Sequence, residues 1–230
     1  MAAGWLRERV FAEARERLNA REQSALDAMV ALRQRADEAL PSESLSVRDN
    51  TGSPHFRQDA VYVPGRDGVH NPEANMESGH LAARFGRVVS DLAAAWRMTR
   101  ETCYADKAIE LIHAWCIDEN TRMFPGGHVD DPATSGMQYG GDITLFLHLR
   151  EAFHAMALLR DYPGWRLSQR AAVMDWVSAM IEPQRRRLFF QGREMTNNWE
   201  DARLAYVGFG ASFLDDPRIL REVFDRWRQI

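Results

Sequence analysis

The sequence predicts an all-α fold made of antiparallel helical hairpins. Three observations predict it. Apolar residues recur at helical spacing along nearly the whole chain. The breaks between those stretches alternate between short turns and long connections, the pattern of stacked hairpins. No alternating apolar/polar run is long enough to make a useful strand.

The opening segment, Trp5 to Leu40, places Leu6, Val10, Phe11, Ala14 and Leu18 on one stripe, continued by Leu26, Met29, Val30 and Ala36. It reads as one long helix or two in line, ended by Pro41 and the serines after it. Residues 41–76 hold Pro54, Pro64, Gly65, Gly68 and Pro72, which break any regular element. A connection of that length in a compact domain is often functional. The next helix spans about Gly79 to Met98, with Leu81, Phe85, Val88, Val89, Leu92 and Trp96 on one face. Another follows from about Cys103 to Ile117. A Gly/Pro-rich loop then covers Asn120 to Gly141.

A strongly apolar helix is expected from about Asp142, a suitable N-cap, to Arg160. Pro163 and Gly164 make a turn. The helix after it runs from about Leu167 to Ile181 and stops before Pro183. Arg185, Arg186 and Arg187 form the densest basic run, read first as a solvated turn at a helix C-terminus. Two further helices begin near Trp199 and at Asp216–Pro217, where Asp then Pro fits N-cap followed by first helical position.

The chain has 230 residues, enough for one domain over 1–230 with a real core. Hydrophobic residues make up 45% and charged residues 27%, ordinary values for a globular protein. No apolar run approaches the ~20 residues of a membrane helix, so no membrane partner is expected. Charge appears at once at Arg7, Glu8 and Arg9, so Met1–Arg9 is not a secretory signal. A net charge of -4 argues against a nucleic-acid partner, and an anionic sugar polymer would need a local basic patch. Cys103 and Cys116 read as buried thiols, too far apart along one helix to bridge. No metal-ligand spacing appears and no cofactor is implied. The oligomeric state is not encoded in any feature of the chain.

Three stretches carry a resemblance. Arg66-Asp67-Gly68 through Asn71-Pro72-Glu73 matches an RDG-x-x-NPE pattern. Tyr104-Ala105-Asp106-Lys107-Ala108-Ile109, then Trp115 and Thr121-Arg122-Met123-Phe124-Pro125, is similar to YA-x-KA…W…T-x-MNP. Thr196-Asn197-Asn198-Trp199 looks like an NNH segment, and between the last two of these stretches Gly140-Gly141-Asp142-Ile143 resembles a GxGI segment that opens a barrel helix. In this order, over roughly residues 60–214, they resemble the alginate lyase family. The resemblance implies an incomplete (α/α) toroid, cleavage of a uronate polymer by β-elimination, and a periplasmic or extracellular location. With no signal in the chain, a cytoplasmic place stays open. Two departures stand out. Trp199 occupies the position of the family's histidine. The family's later arginine and tyrosine lie well downstream of the asparagine pair, so the chain is expected to lack the last helices of the family fold.

β-Elimination removes the proton beside a uronate carboxylate and expels the oxygen on the next carbon. The carboxylate must be neutralised so that enolate-like charge can build up. A base must take the proton and an acid must protonate the leaving oxygen. Amides suit the first task, because they donate hydrogen bonds without adding a competing base. Asn197 and Asn198 are therefore the candidates for carboxylate neutralisation, at a helix start that itself favours an anion. The same residues also suit a plain helix cap. His128 and Tyr139, in the glycine-rich loop, are the candidates for proton transfer. Gln138 beside Tyr139, and Trp199 as a stacking platform, are assigned to substrate binding, with Arg122, Arg193 and Arg203 as carboxylate holders. Trp115 and Tyr206 sit at helical apolar spacing and read as core. His80, near the start of the second helix and close to the entry motif, stands much as His128 does, and His113, His148 and His154 read as packed or surface residues.

Two alternatives have different chemistry. A hydrolase of the α/α-barrel type needs two carboxylates facing a cleft, with Asp130 or Asp142 opposite Glu200 or Asp201. The other alternative is a non-catalytic, degenerate sugar-binding member.

Overall fold

The computed structural model describes residues 2–49, 69, 77–125, 148–186, 189–190, 193–194 and 198–230, with side chains outside 2–7 and 186–199. Eight α-helices lie among these residues: α1 (Ala2–Asn19), α2 (Gln23–Ala39), α3 (Glu77–Thr99), α4 (Thr102–Cys116), α5 (Leu149–Leu159), α6 (Leu167–Arg186), α7 (Asn198–Leu214) and α8 (Pro217–Trp227). A 3₁₀ turn at Val47–Asp49 follows α2. A two-residue antiparallel ladder pairs Phe189 with Glu194 and Phe190 with Arg193.

Three tight reversals shape the chain. Each holds a non-glycine residue in the left-handed region: Arg21 (φ 56), Arg100 (φ 64) and Asp215 (φ 59). A left-handed residue just past a helix end stops the helix and turns the chain. It divides the N-terminal segment into α1 and α2, and it joins α3 to α4 and α7 to α8. The N-terminal stripe is only partly a core face, since Val10 and Val30 are exposed.

Four helices pack as a row: α2 on α3, α3 on α5, α5 on α7. A second row covers it, with α4 on α3 and α6, and α6 and α8 on α7. This is the two-layered build of an α/α toroid. The α3–α5 contact is close because Gly86 has no side chain: a Cβ there would lie 2.8 Å from the carbonyl oxygen of His148.

Aromatic rings join the rows. Trp115 is fully buried and stacks on Phe85 with centroids 4.5 Å apart. Phe153 of α5 meets Tyr206 of α7 at 5.1 Å and Trp176 of α6 at 6.3 Å. Two tyrosine hydroxyls end on carboxylates, Tyr104 on Asp37 and Tyr162 on Asp106, both at 2.6 Å. They tie α4 to α2 and to the turn after α5.

Two expectations need correction. The α6 helix does not stop before Pro183 but continues to Arg186 with the proline inside. Proline removes one helix hydrogen bond, but tertiary contacts hold the next turn. Ile181 and Gln184 are buried, and Arg185 makes a two-pronged bond to Glu222 of α8 at 2.6 and 2.9 Å. This also takes Arg185 out of the solvated turn expected for it. Of the two thiols, Cys116 is buried but Cys103 is exposed. A helix turns about 100° per residue, so thirteen positions put the two side chains on different faces. Burial pushes the Cys116 thiol pKa well up.

Candidate active site

The stretch after α4 is fixed through its main chain. Thr121 Oγ1 donates to the Ala114 carbonyl at 2.8 Å, and the Thr121 carbonyl accepts from Ser46 Oγ at 2.6 Å. The Met123 amide donates to the Trp115 carbonyl at 2.9 Å. The Met123 carbonyl accepts from the indole of Trp176 at 2.7 Å. Helices α4 and α6 and the segment before the 3₁₀ turn thus hold residues 121–123 from three sides.

Arg122, expected to bind substrate, projects from this held stretch. Its guanidinium carbon lies 4.8 Å from the centroid of the Phe124 ring. Arg48, from the 3₁₀ turn, lies over the same ring at 5.5 Å. Both arginines are half-buried. The Arg48 Nη1 donates to the Asn120 carbonyl at 3.1 Å. The Nε of each is buried without a hydrogen-bond partner. Arg48 was not a sequence candidate: it lies far from Arg122 in the chain, and only the fold brings the two to one ring.

The other described part of the site is the start of α7. Asn198 is its first residue and Trp199 its second, so the backbone puts Asn198 at a helix N-terminus. Glu200, in the same turn, has no solvent exposure. Its carboxylate accepts from Arg203, one turn on, through Nε at 3.1 Å and through Nη2. It also accepts from Arg226 Nε of α8 at 3.1 Å. Arg203 is therefore engaged with Glu200 and almost fully buried. A carboxylate so enclosed faces no cleft, which weighs against a hydrolase pair that includes Glu200.

Of the other residues singled out, Asn197, His128, Gln138 and Tyr139 lie outside the described residues, as do Asp130 and Asp142. Arg193 lies on the short ladder by its backbone. Tyr206 is buried beside Phe153, and burial alone pushes its phenol pKa up. His80 is largely exposed, and the His154 ring meets Phe209 edge-on at 5.7 Å.

Paired helix rows of this kind define the class of α/α-toroid proteins. A solved structure shares the fold: the crystal structure of an alginate lyase from Bacteroides ovatus superposes with a TM-score of 0.69 at 20% sequence identity. That match covers 95% of this chain and 63% of the other. A sequence model of the alginate lyase family matches residues 13–230, and the chain belongs to that family. No curated protein sequence matches it.

Proposed function

We propose that the protein is a polysaccharide lyase that cleaves an acidic, uronate-containing polymer of the alginate type by β-elimination. The observation that supports this most is family membership over residues 13–230. Asn198, the first residue of α7, with Asn197 before it in the sequence, supplies the fitting chemistry. Asn197 and Asn198 hold the sugar carboxylate through N–H donors, and the N-terminus of α7 adds its own positive end. Charge then builds up on that carboxylate as the neighbouring C–H bond breaks. Because Trp199 stands where the family carries histidine, the proton passes to one of His128 and Tyr139. The electron pair forms the new carbon–carbon double bond as the bond to the leaving oxygen breaks, and the other residue gives that oxygen a proton. Trp199 with Gln138 contacts the sugar rings. Arg122 and Arg193 meet further carboxylates along the chain. Such polymers lie outside cells, which favours a periplasmic or extracellular place of action.

The test is product chemistry. Incubation with mannuronate, guluronate and glucuronate polymers is expected to give a rising ultraviolet absorbance from the new carbon–carbon double bond on at least one of them. New reducing ends without that absorbance would replace the lyase with a hydrolase. Binding without turnover on every polymer would leave a sugar-binding member.

A further inference from the structure

We infer that Arg48, together with Arg122 across the Phe124 ring, forms a binding subsite for the carboxylates of an acidic sugar chain; this rests on the lyase reading above. The argument starts from charge. Two guanidinium ions share one aromatic ring, and attraction to a ring does not replace an anionic partner. Among the described residues no carboxylate pairs with either. Of the acids close by in sequence, Asp49 accepts from the Ser46 amide at 3.1 Å and Asp118 from the Asn120 amide at 2.8 Å, and Glu119 makes no ion pair with Arg122 among the described residues.

The buried arginines elsewhere differ. Arg97 meets Glu8 and Asp161, both at 3.0 Å, and Arg203 and Arg226 meet Glu200. Arg97 also lies over a ring, that of Trp96, which Arg100 shares, and its Nε is unmet too, but it has its anions, whereas the Arg48–Arg122 cluster has none among the described residues. Its two buried Nε donors are unmet, an unfavourable state for a buried polar group. A planar carboxylate matches the arginine fork and meets such donors. The main-chain bonds that hold residues 121–123, and the Arg48–Asn120 bond, set this geometry before any ligand arrives. Pre-set geometry lowers the ordering cost of binding.

The experiment uses calorimetric titration of the full chain with two probes: a saturated uronic-acid tetrasaccharide and its carboxyl-reduced, neutral counterpart. The intact protein is expected to prefer the charged probe, less so as salt rises. Arg48→Gln is expected to weaken the charged probe about tenfold, the loss of one charge-assisted bond, and to leave the neutral probe unchanged. A role confined to holding Asn120 would shift both probes alike and would overturn the subsite. So would unchanged affinity for the charged probe in a folded Arg48→Gln protein. Arg48→Lys, which keeps the charge and loses the fork, carries the same comparison should the glutamine variant not fold.

Turnover separates this from the parent reading. Arg48→Gln is expected to raise KM about tenfold with kcat within about twofold, the sign of binding shared by ground and transition states. Elimination with an unchanged KM and unchanged charge preference would remove the subsite and keep the lyase. A charge preference lost in Arg48→Gln, with no elimination by any form, would keep the subsite and remove the lyase.

Discussion

Glu200 and Arg226 meet at 3.1 Å in an interior closed to water, 26 residues apart in the chain. The pair fastens α8 to the first turn of α7, the turn that begins with Asn198. Arg203 shares the same carboxylate. Removing one member of a buried ion pair leaves its partner's charge without compensation, at about 3–5 kcal/mol. Glu200→Ala is therefore expected to lower unfolding stability by about that amount. Replacing Glu200, Arg203 and Arg226 together by apolar residues of similar size is expected to cost much less. Urea midpoints of the two proteins check this. A single-variant loss below about 1 kcal/mol, the level of an exposed pair, would contradict it.

A second expectation concerns alkaline pH. The hydrogen bond to Asp37, with burial, raises the Tyr104 phenol pKa to about 12. Burial, with the bond to Asp106, raises that of Tyr162 to about 12. An unfolded tyrosine titrates near ~10. The folded chain keeps these two protons longer, so their contribution is complete below about pH 10 and is lost as pH rises through about 12. Stability is expected to fall across that window. Only one lysine, Lys107, is present in the sequence, and the buried Tyr206 phenol and Cys116 thiol, both pushed up by burial, add alkaline losses of the same sign. Tyr104→Phe is expected to lower stability at neutral pH and to shrink the alkaline loss. Denaturant midpoints at both pH values check the sign; an alkaline loss as large as in the intact protein would contradict it.

The proposed proton transfer makes a third prediction. His128→Ala and Tyr139→Phe are expected to differ sharply in turnover, because one of them takes the proton and general acid–base catalysis is worth about 10²–10⁴-fold. Initial rates of chromophore formation across pH decide which. Equal, mild losses from both would remove that loop from the mechanism.

How far the sequence can be read differs from residue to residue. Helix starts with local chemistry are legible: the Asp216 carboxylate accepts from the amides of Arg218 and Ile219, as Asp-Pro at a helix start implies. The end of α6 is not, because Pro183 is a local stop signal overruled by Glu222, a residue of another helix. Glu200 and Arg203 lie one turn apart, so their ion pair can be anticipated from spacing. Their burial and the third partner, Arg226, depend on how α8 folds back. The resemblance reaches Arg122 through its Thr-Arg-Met-Phe-Pro setting. Nothing local marks Arg48, since its meaning comes from sharing the ring of Phe124. Spacing along one element is written in the sequence, whereas contact between distant elements is decided by the packing of the rows.

The most direct test of the central claim is the initial rate of double-bond formation by Asn198→Ala, at equal folded protein, against the intact chain. An amide that stabilises developing charge is expected to be worth about 10²-fold or more in turnover, with a thermal midpoint little changed. A rate within about threefold of the intact protein, far short of what such a donor contributes, would show that Asn198 does not carry the carboxylate's charge.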